Sequence, residues 1–189
     1  MEENNDLLID KIAEHYKAIL DLIGEDTNRE GLLKTPYRAA KALVEITKGY
    51  NQSAEDIIKE AMFDYCGTNM IIVKDIEFYS LCEHHILPFF GKISIGYIPN
   101  GKIVGLSKLA RIVDTFAKRL QVQENLTFEI CSLLSRVLTT KGVIVKCEAG
   151  HLCMKMRGIE KQGAMTTTLE FSGAFENGSL RKEFFDLIK

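Results

Sequence analysis

Three of the chain's four histidines and two of its five cysteines fall in two short fragments far apart in sequence, Cys82-Glu83-His84-His85 and His151-Leu152-Cys153. Random placement of so few Cys and His would give roughly 0.1 Cys-x-x-His pairs. Thiolate and imidazole are the ligands zinc prefers, and one Cys plus one His from each fragment would supply a tetrahedral set. A fold that unites them must bring two distant segments side by side. His151 and Cys153 are two apart and share a face if they lie on a strand. Adjacent His84 and His85 on extended chain project oppositely, so one of them looks away from the metal. The residues alone leave open a catalytic zinc site, a closed Cys2His2 structural site, or no metal. Structural sites usually draw on tight Cys-x-x-Cys knuckles in small domains, whereas 189 residues suffice for a core without one.

That length, with 46% hydrophobic residues, predicts one globular domain over residues 65–189 with an appended helical segment over 1–64. No apolar run reaches membrane-spanning length. The acidic start Met1-Glu2-Glu3-Asn4-Asn5-Asp6 lacks the basic and apolar regions of a signal peptide, so a cytoplasmic location is expected. Five cysteines, an odd number at irregular spacing, argue for thiols and metal over a disulfide framework. Cys131 and Cys147 read as core fillers. A formal net charge of −2 gives no global attraction to nucleic acid or an anionic membrane, so a polyanionic ligand would need a local cluster of bases.

Along the chain, apolar spacing predicts a helix from Asp6 to Ile23, stopped by Gly24. Thr35-Pro36 reads as N-cap and first-turn proline of a second helix, and a third covers Ala54 to Met62. The period then changes, and strands are expected over Met70–Tyr79 and Lys92–Ile98, the second ended by Pro99-Asn100-Gly101. Helices return from Leu106 to Phe116 and from Leu126 to Leu138, the latter closed by Lys141-Gly142. Strands over Val143–Cys153 and Met165–Ser172 follow, then a helix from about Ser179. The core order is β-β-α-α-β-β, an α+β fold with an antiparallel four-stranded sheet and two helices on one face. Open edges on so small a sheet favour association.

Ser107 caps the first core helix in this reading, and Lys108 and Arg111 sit on neighbouring helix positions, together a good phosphate site or a merely solvated basic face. Arg157 shares the face of His151 and Cys153 if their strand persists, which would place a guanidinium beside the metal. Otherwise it lies past the strand end. Glu124 sits where first-turn acids complement a helix N-terminus.

Taken together, Cys82-Glu83-His84-His85, Gly105-Leu106-Ser107-Lys108-Leu109-Ala110-Arg111, Gln121-Val122-Gln123-Glu124-Asn125-Leu126-Thr127 and His151-x-Cys153-Met154-x-x-Arg157-Gly158 resemble GTP cyclohydrolase I. The resemblance runs from about Thr35 to the C-terminus, with no match before about Gly31. It implies that Cys82, His85 and Cys153 bind Zn2+ while His84 and His151 are unligated catalytic histidines. It places Ser107, Lys108, Arg111 and Arg157 on the triphosphate, and Gln123 with Glu124 on the guanine. Arg38 and Lys41, in Thr35-Pro36-x-Arg38-x-x-Lys41, would reach a neighbouring subunit's phosphates. The implied fold is the tunnelling fold, assembled as a homodecamer with shared active sites. The implied reaction is hydrolysis of GTP at C8, with loss of formate and rearrangement to 7,8-dihydroneopterin triphosphate. A non-catalytic purine- or pterin-binding relative and a metal-free nitrile reductase of the same fold are the alternatives, and a zinc assay separates the second.

Overall fold

The computed structural model describes residues 2 to 189, with side chains from Asn5 onward. The chain divides into two compact units, the first ending at Lys48 and the second running from Gly49 to Lys189. In the first unit, helix α1 (Glu2–Leu22) packs on α2 (Thr35–Ile46), and Ile9 and Ala40 are buried. Gly24 ends α1 with φ 91°, a left-handed conformation in which a side chain would be strained. Thr35 does not cap α2. Lys34 takes the cap position, and the Thr35 hydroxyl donates back to the Gly31 carbonyl at 3.2 Å.

The second unit opens with α3 (Ala54–Lys59), where the Ser53 hydroxyl accepts from the Asp56 amide. The helix was expected to reach Met62. Instead Met62 starts β1 (Met62–Asp64), whose partner is β4 (Lys102–Val104). The main sheet contains β2 (Ile71–Cys82), β3 (Pro88–Pro99), β6 (Thr140–His151) and β7 (Thr166–Gly173), antiparallel in that order. Helices α4 (Leu106–Ala117) and α5 (Gln123–Val137) intervene in sequence and pack on this sheet. The order is therefore the expected β-β-α-α-β-β of an α+β fold. Phe78, Phe89, Ile93, Ile95 and Tyr97 from the strands meet Leu109, Ile112, Val113, Leu126, Ile130 and Leu134 from the helices. Cys131 and Cys147 lie in the same core.

Three departures from expectation have local causes, and the expected last helix takes a face that the sequence left open. A two-residue strand, β5 (Leu120–Gln121), pairs parallel with Leu81–Cys82 and makes the sheet five-stranded. Helix α7 (Gly178–Leu187), N-capped by Asn177, covers the opposite sheet face through Phe184, Phe175, Ile98 and Ile144. Ile144 falls there because its neighbours Val143 and Val145 point into the main core. Lys141-Gly142 does not close α5, which ends at Val137; both residues belong to β6. A Cβ on Gly142 would lie 2.6 Å from the Ser172 carbonyl oxygen, so its glycine serves strand approach rather than helix termination. Finally, β6 stops at His151, and Leu152–Lys155 form a single helical turn, α6. Among the described residues, no helix is long and apolar enough to cross a membrane.

Candidate active site

Cys82 is the last residue of β2, and the chain turns back on itself there. The Cys82 amide donates to the Leu87 carbonyl at 2.8 Å, and the Cys82 carbonyl accepts from His85 and Ile86 at 3.3 and 2.8 Å. Ile86 adopts φ 54° to complete the turn. The fragment is thus a tight loop, and the rule that neighbours on extended chain face oppositely does not apply to His84 and His85. Their Nδ1 atoms lie 3.8 and 4.0 Å from the Cys82 sulfur. The second fragment arrives because β6 pairs with β3, setting His151 opposite Phe89. Cys153 then reaches inward from α6, so helical geometry replaces the expected shared strand face.

Ligand atoms of Cys82, His85 and Cys153 lie within 4.8 Å of one another. Tetrahedral zinc with bonds of about 2.1 to 2.3 Å sets its ligands roughly 3.5 to 3.8 Å apart. The trio therefore fits such an ion after sub-ångström to ångström tightening. The Cys153 thiol is pushed above its ordinary range by burial and by the neighbouring Cys82 sulfur. Two sulfurs crowded together ionise readily only beside a cation, and this chemistry also fits a soft divalent metal.

Beside the trio is a cavity of about 200 Å³ lined by Cys82, His84, Gln123, Glu124, His151 and Cys153, among others. The His151 ring is half-buried and lies flat on Phe89, centroids 4.6 Å apart and planes 3° from parallel. Burial lowers its pKa, and Glu124 opposes the shift. His151 Nε2 meets Gln123 Oε1 at 2.8 Å. The two N–H groups of the Gln123 amide are shared among the carbonyls of Cys147 and Thr166 and the Thr168 hydroxyl, at 3.2, 3.0 and 3.2 Å. Gln123 is only 1% exposed. Its side chain lines the cavity while hydrogen-bonding within the protein. Glu124, by contrast, is exposed at the cavity.

The strand does not carry Arg157 to the site; the chain brings it there after α6, and its Nη1 donates to His85 Nε2 at 3.1 Å. The basic cluster is placed differently. Gly105, not Ser107, caps α4, and Lys108 pairs with Glu60 at 2.7 Å. None of Ser107, Lys108 and Arg111 lines the cavity. The C-terminal end of α4 leads into β5 beside Cys82, and Arg111 and Ser107 lie back from Ala117 by roughly 9 and 15 Å along the helix axis. Arg38 and Lys41 lie on α2 in the first unit, in a groove with Asn5 and Ile9. Sequence reasoning missed Phe89 and Glu60. Phe89 reads as one more core aromatic, and no local pattern links Glu60 to a lysine on another helix.

A family model described as GTP cyclohydrolase I matches residues 12–189. The match begins well before Thr35, since the amphipathic α1 contributes to a whole-chain comparison though it holds no short motif. The chain is 57% identical over 178 residues to GTP cyclohydrolase 1 of Porphyromonas gingivalis, covering 94% of this chain and 92% of that one. It is 51% identical over 181 residues to GTP cyclohydrolase 1 of Bacteroides fragilis, covering 96% and 93%. The apo archaeosine synthase QueF-like crystal structure gives a TM-score of 0.47 at 17% identity, over 58% of this chain and 98% of that one, and carries no weight here. With cysteines and histidines converging on one cavity and a match over nearly its whole length, the chain belongs to the GTP cyclohydrolase I family.

Proposed function

We propose that this chain hydrolyses GTP at C8 of the guanine, releasing formate and yielding 7,8-dihydroneopterin triphosphate, the first step of pterin and folate synthesis. The observation that carries the proposal is the convergence of Cys82, His85 and Cys153 on a cavity that also holds His84, Glu124 and His151. Family membership supplies the reaction, and the donor set is suited to it.

Cys82, His85 and Cys153 would hold zinc. When bound in a three-ligand site, zinc supplies Lewis acidity that makes water nucleophilic near neutral pH. His84 and His151, with no role as ligands, exchange protons with the purine nitrogens and the sugar as the rings open and reclose. The Glu124 carboxylate, exposed at the cavity, accepts hydrogen bonds from the guanine edge. Phe89, stacked on His151, keeps one face of that ring from water. Arg157 stands beside His85, close enough to meet substrate anion. Ser107, Lys108 and Arg111, with Arg38 and Lys41, hold the triphosphate. Because the first three do not line their own chain's cavity, they are assigned to a neighbouring copy's site in a homodecamer.

The test is incubation of metal-loaded protein with GTP while following formate and pterin fluorescence, paired with metal analysis of four variants. Cys153→Ala and His85→Ala are expected to lose zinc and all activity. His84→Ala and His151→Ala are expected to keep about one zinc per chain and to bind GTP, with turnover slowed roughly 10²-fold or more. A site emptied by His84→Ala or His151→Ala but not by His85→Ala would overturn the ligand assignment.

A further inference from the structure

We propose that Gln123 is a positioning residue for His151, fixing it as the tautomer protonated on Nε2 so that Nδ1 is the nitrogen available to substrate. This deepens the proposed function, since it rests on His151 being the group that exchanges protons.

The inference comes from donor and acceptor accounting around one buried amide. Gln123 is the first residue of α5 and is almost wholly buried. Its Nε2 lies within hydrogen-bond distance of the Cys147 and Thr166 carbonyl oxygens and the Thr168 hydroxyl. Carbonyl oxygens only accept, so the group facing them must be the NH2. Flipping the amide would set its oxygen against both carbonyls in a buried environment, acceptor facing acceptor. The orientation is therefore dictated by the ends of β6 and β7 and not by the histidine.

With the NH2 so placed, Oε1 must face His151 Nε2, at 2.8 Å. An amide oxygen only accepts, so Nε2 carries the proton in neutral His151, and the lone pair resides on Nδ1. The same oxygen also stabilises the imidazolium once Nδ1 takes a proton. Two further contacts remove the remaining freedom. Phe89 stacks flat on the ring, and the Thr127 hydroxyl donates to the Gln123 main-chain carbonyl and meets the Thr168 hydroxyl at 2.5 Å, holding the Thr168 acceptor of the amide in place. A side chain anchored at three points is unsuited to following a substrate, and well suited to holding a neighbour still.

The decisive measurement needs no variant for its reading. Zinc-loaded full-length protein is labelled with 15N in its histidine rings and studied by magic-angle-spinning NMR, the His151 signals being those absent from a His151→Ala sample. The expected result is a protonated Nε2 and a bare Nδ1 on His151 above its titration range; a proton on Nδ1 overturns the proposal. Kinetics give a second reading. Gln123→Met is expected to lower kcat by about tenfold or more, with KM for GTP and zinc content unchanged. In a His151→Ala background the same substitution should cost nothing further, because it acts through the missing ring. A raised KM, or a loss that persists without His151, would mean that Gln123 touches substrate or merely supports the fold, and overturns it. A protein inactive on GTP would refute the proposed function while the tautomer remained measurable.

Discussion

Lys108 keeps its stem largely buried, at 13% exposure, and gives its ammonium to the more open Glu60 at 2.7 Å. Lys108, and to a lesser degree Arg111, hold the Glu60 carboxyl below the usual range. If Lys108 holds phosphate, Glu60 competes with the incoming anion for the same cation. Glu60→Gln is therefore expected to lower the KM for GTP several-fold with kcat little changed. A raised KM would show instead that Glu60 holds Lys108 in place. Core thiols give a different kind of prediction. Burial pushes the Cys147 thiol up to about 12 and that of Cys131 up to about 11. A raised folded-state value favours the neutral thiol, so stability is fully present below the unfolded value near 9 and falls as pH rises toward 12. The slope has a ceiling of about 1.4 kcal/mol per pH unit for each thiol. Cys147→Ala should flatten that alkaline decline in urea midpoints, even if it lowers stability at neutral pH; an unchanged slope would contradict the burial effect.

Among the elements, β3 and β6 form the seam on which the site depends, because their register sets His151 against Phe89. Gly91 lies in that seam, and a Cβ there would fall 1.9 Å from the Glu148 carbonyl oxygen, among backbone atoms that cannot give way. Gly91→Ala is expected to destabilise the protein by roughly 1 to 3 kcal/mol or more and to loosen metal binding with it. Equal stability and equal zinc affinity in the variant would refute this. The long strands and helices were legible in sequence because alternation or three-and-four spacing accumulates over a dozen residues. Strand β5, with two residues, and α6, with four, are too short for any period to register. Their existence follows from neighbours, β5 from the free edge beside Leu81–Cys82 and α6 from the end of strand pairing at His151. The sequence pattern therefore suggests an extended face for Cys153 and Arg157, whereas Cys153 lies in α6 and Arg157 beyond it.

At the scale of the whole molecule, the basic residues of α4 do not line the cavity beside the cysteine cluster, and the proposed function assigns them to a second copy's site. Co-expression of Lys108→Ala and Cys153→Ala chains tests this. Random mixing should leave roughly a quarter of shared sites intact, and activity should reappear in that proportion. No recovery from oligomers shown by mass spectrometry to be mixed would place both residues in one chain's site. The sequence by itself determined the α+β element order, the family, and which Cys and His types would gather, since these reside in residue identity and local periodicity. Only the tertiary structure decided the close approach of Cys82, His85 and Cys153, the position of Lys108 outside the cavity beside them, and the burial that commits Gln123 to His151. Each depends on strand register and on helix ends meeting across the sheet. Such long-range geometry is set by the packing of all elements together, and no single stretch of chain encodes it.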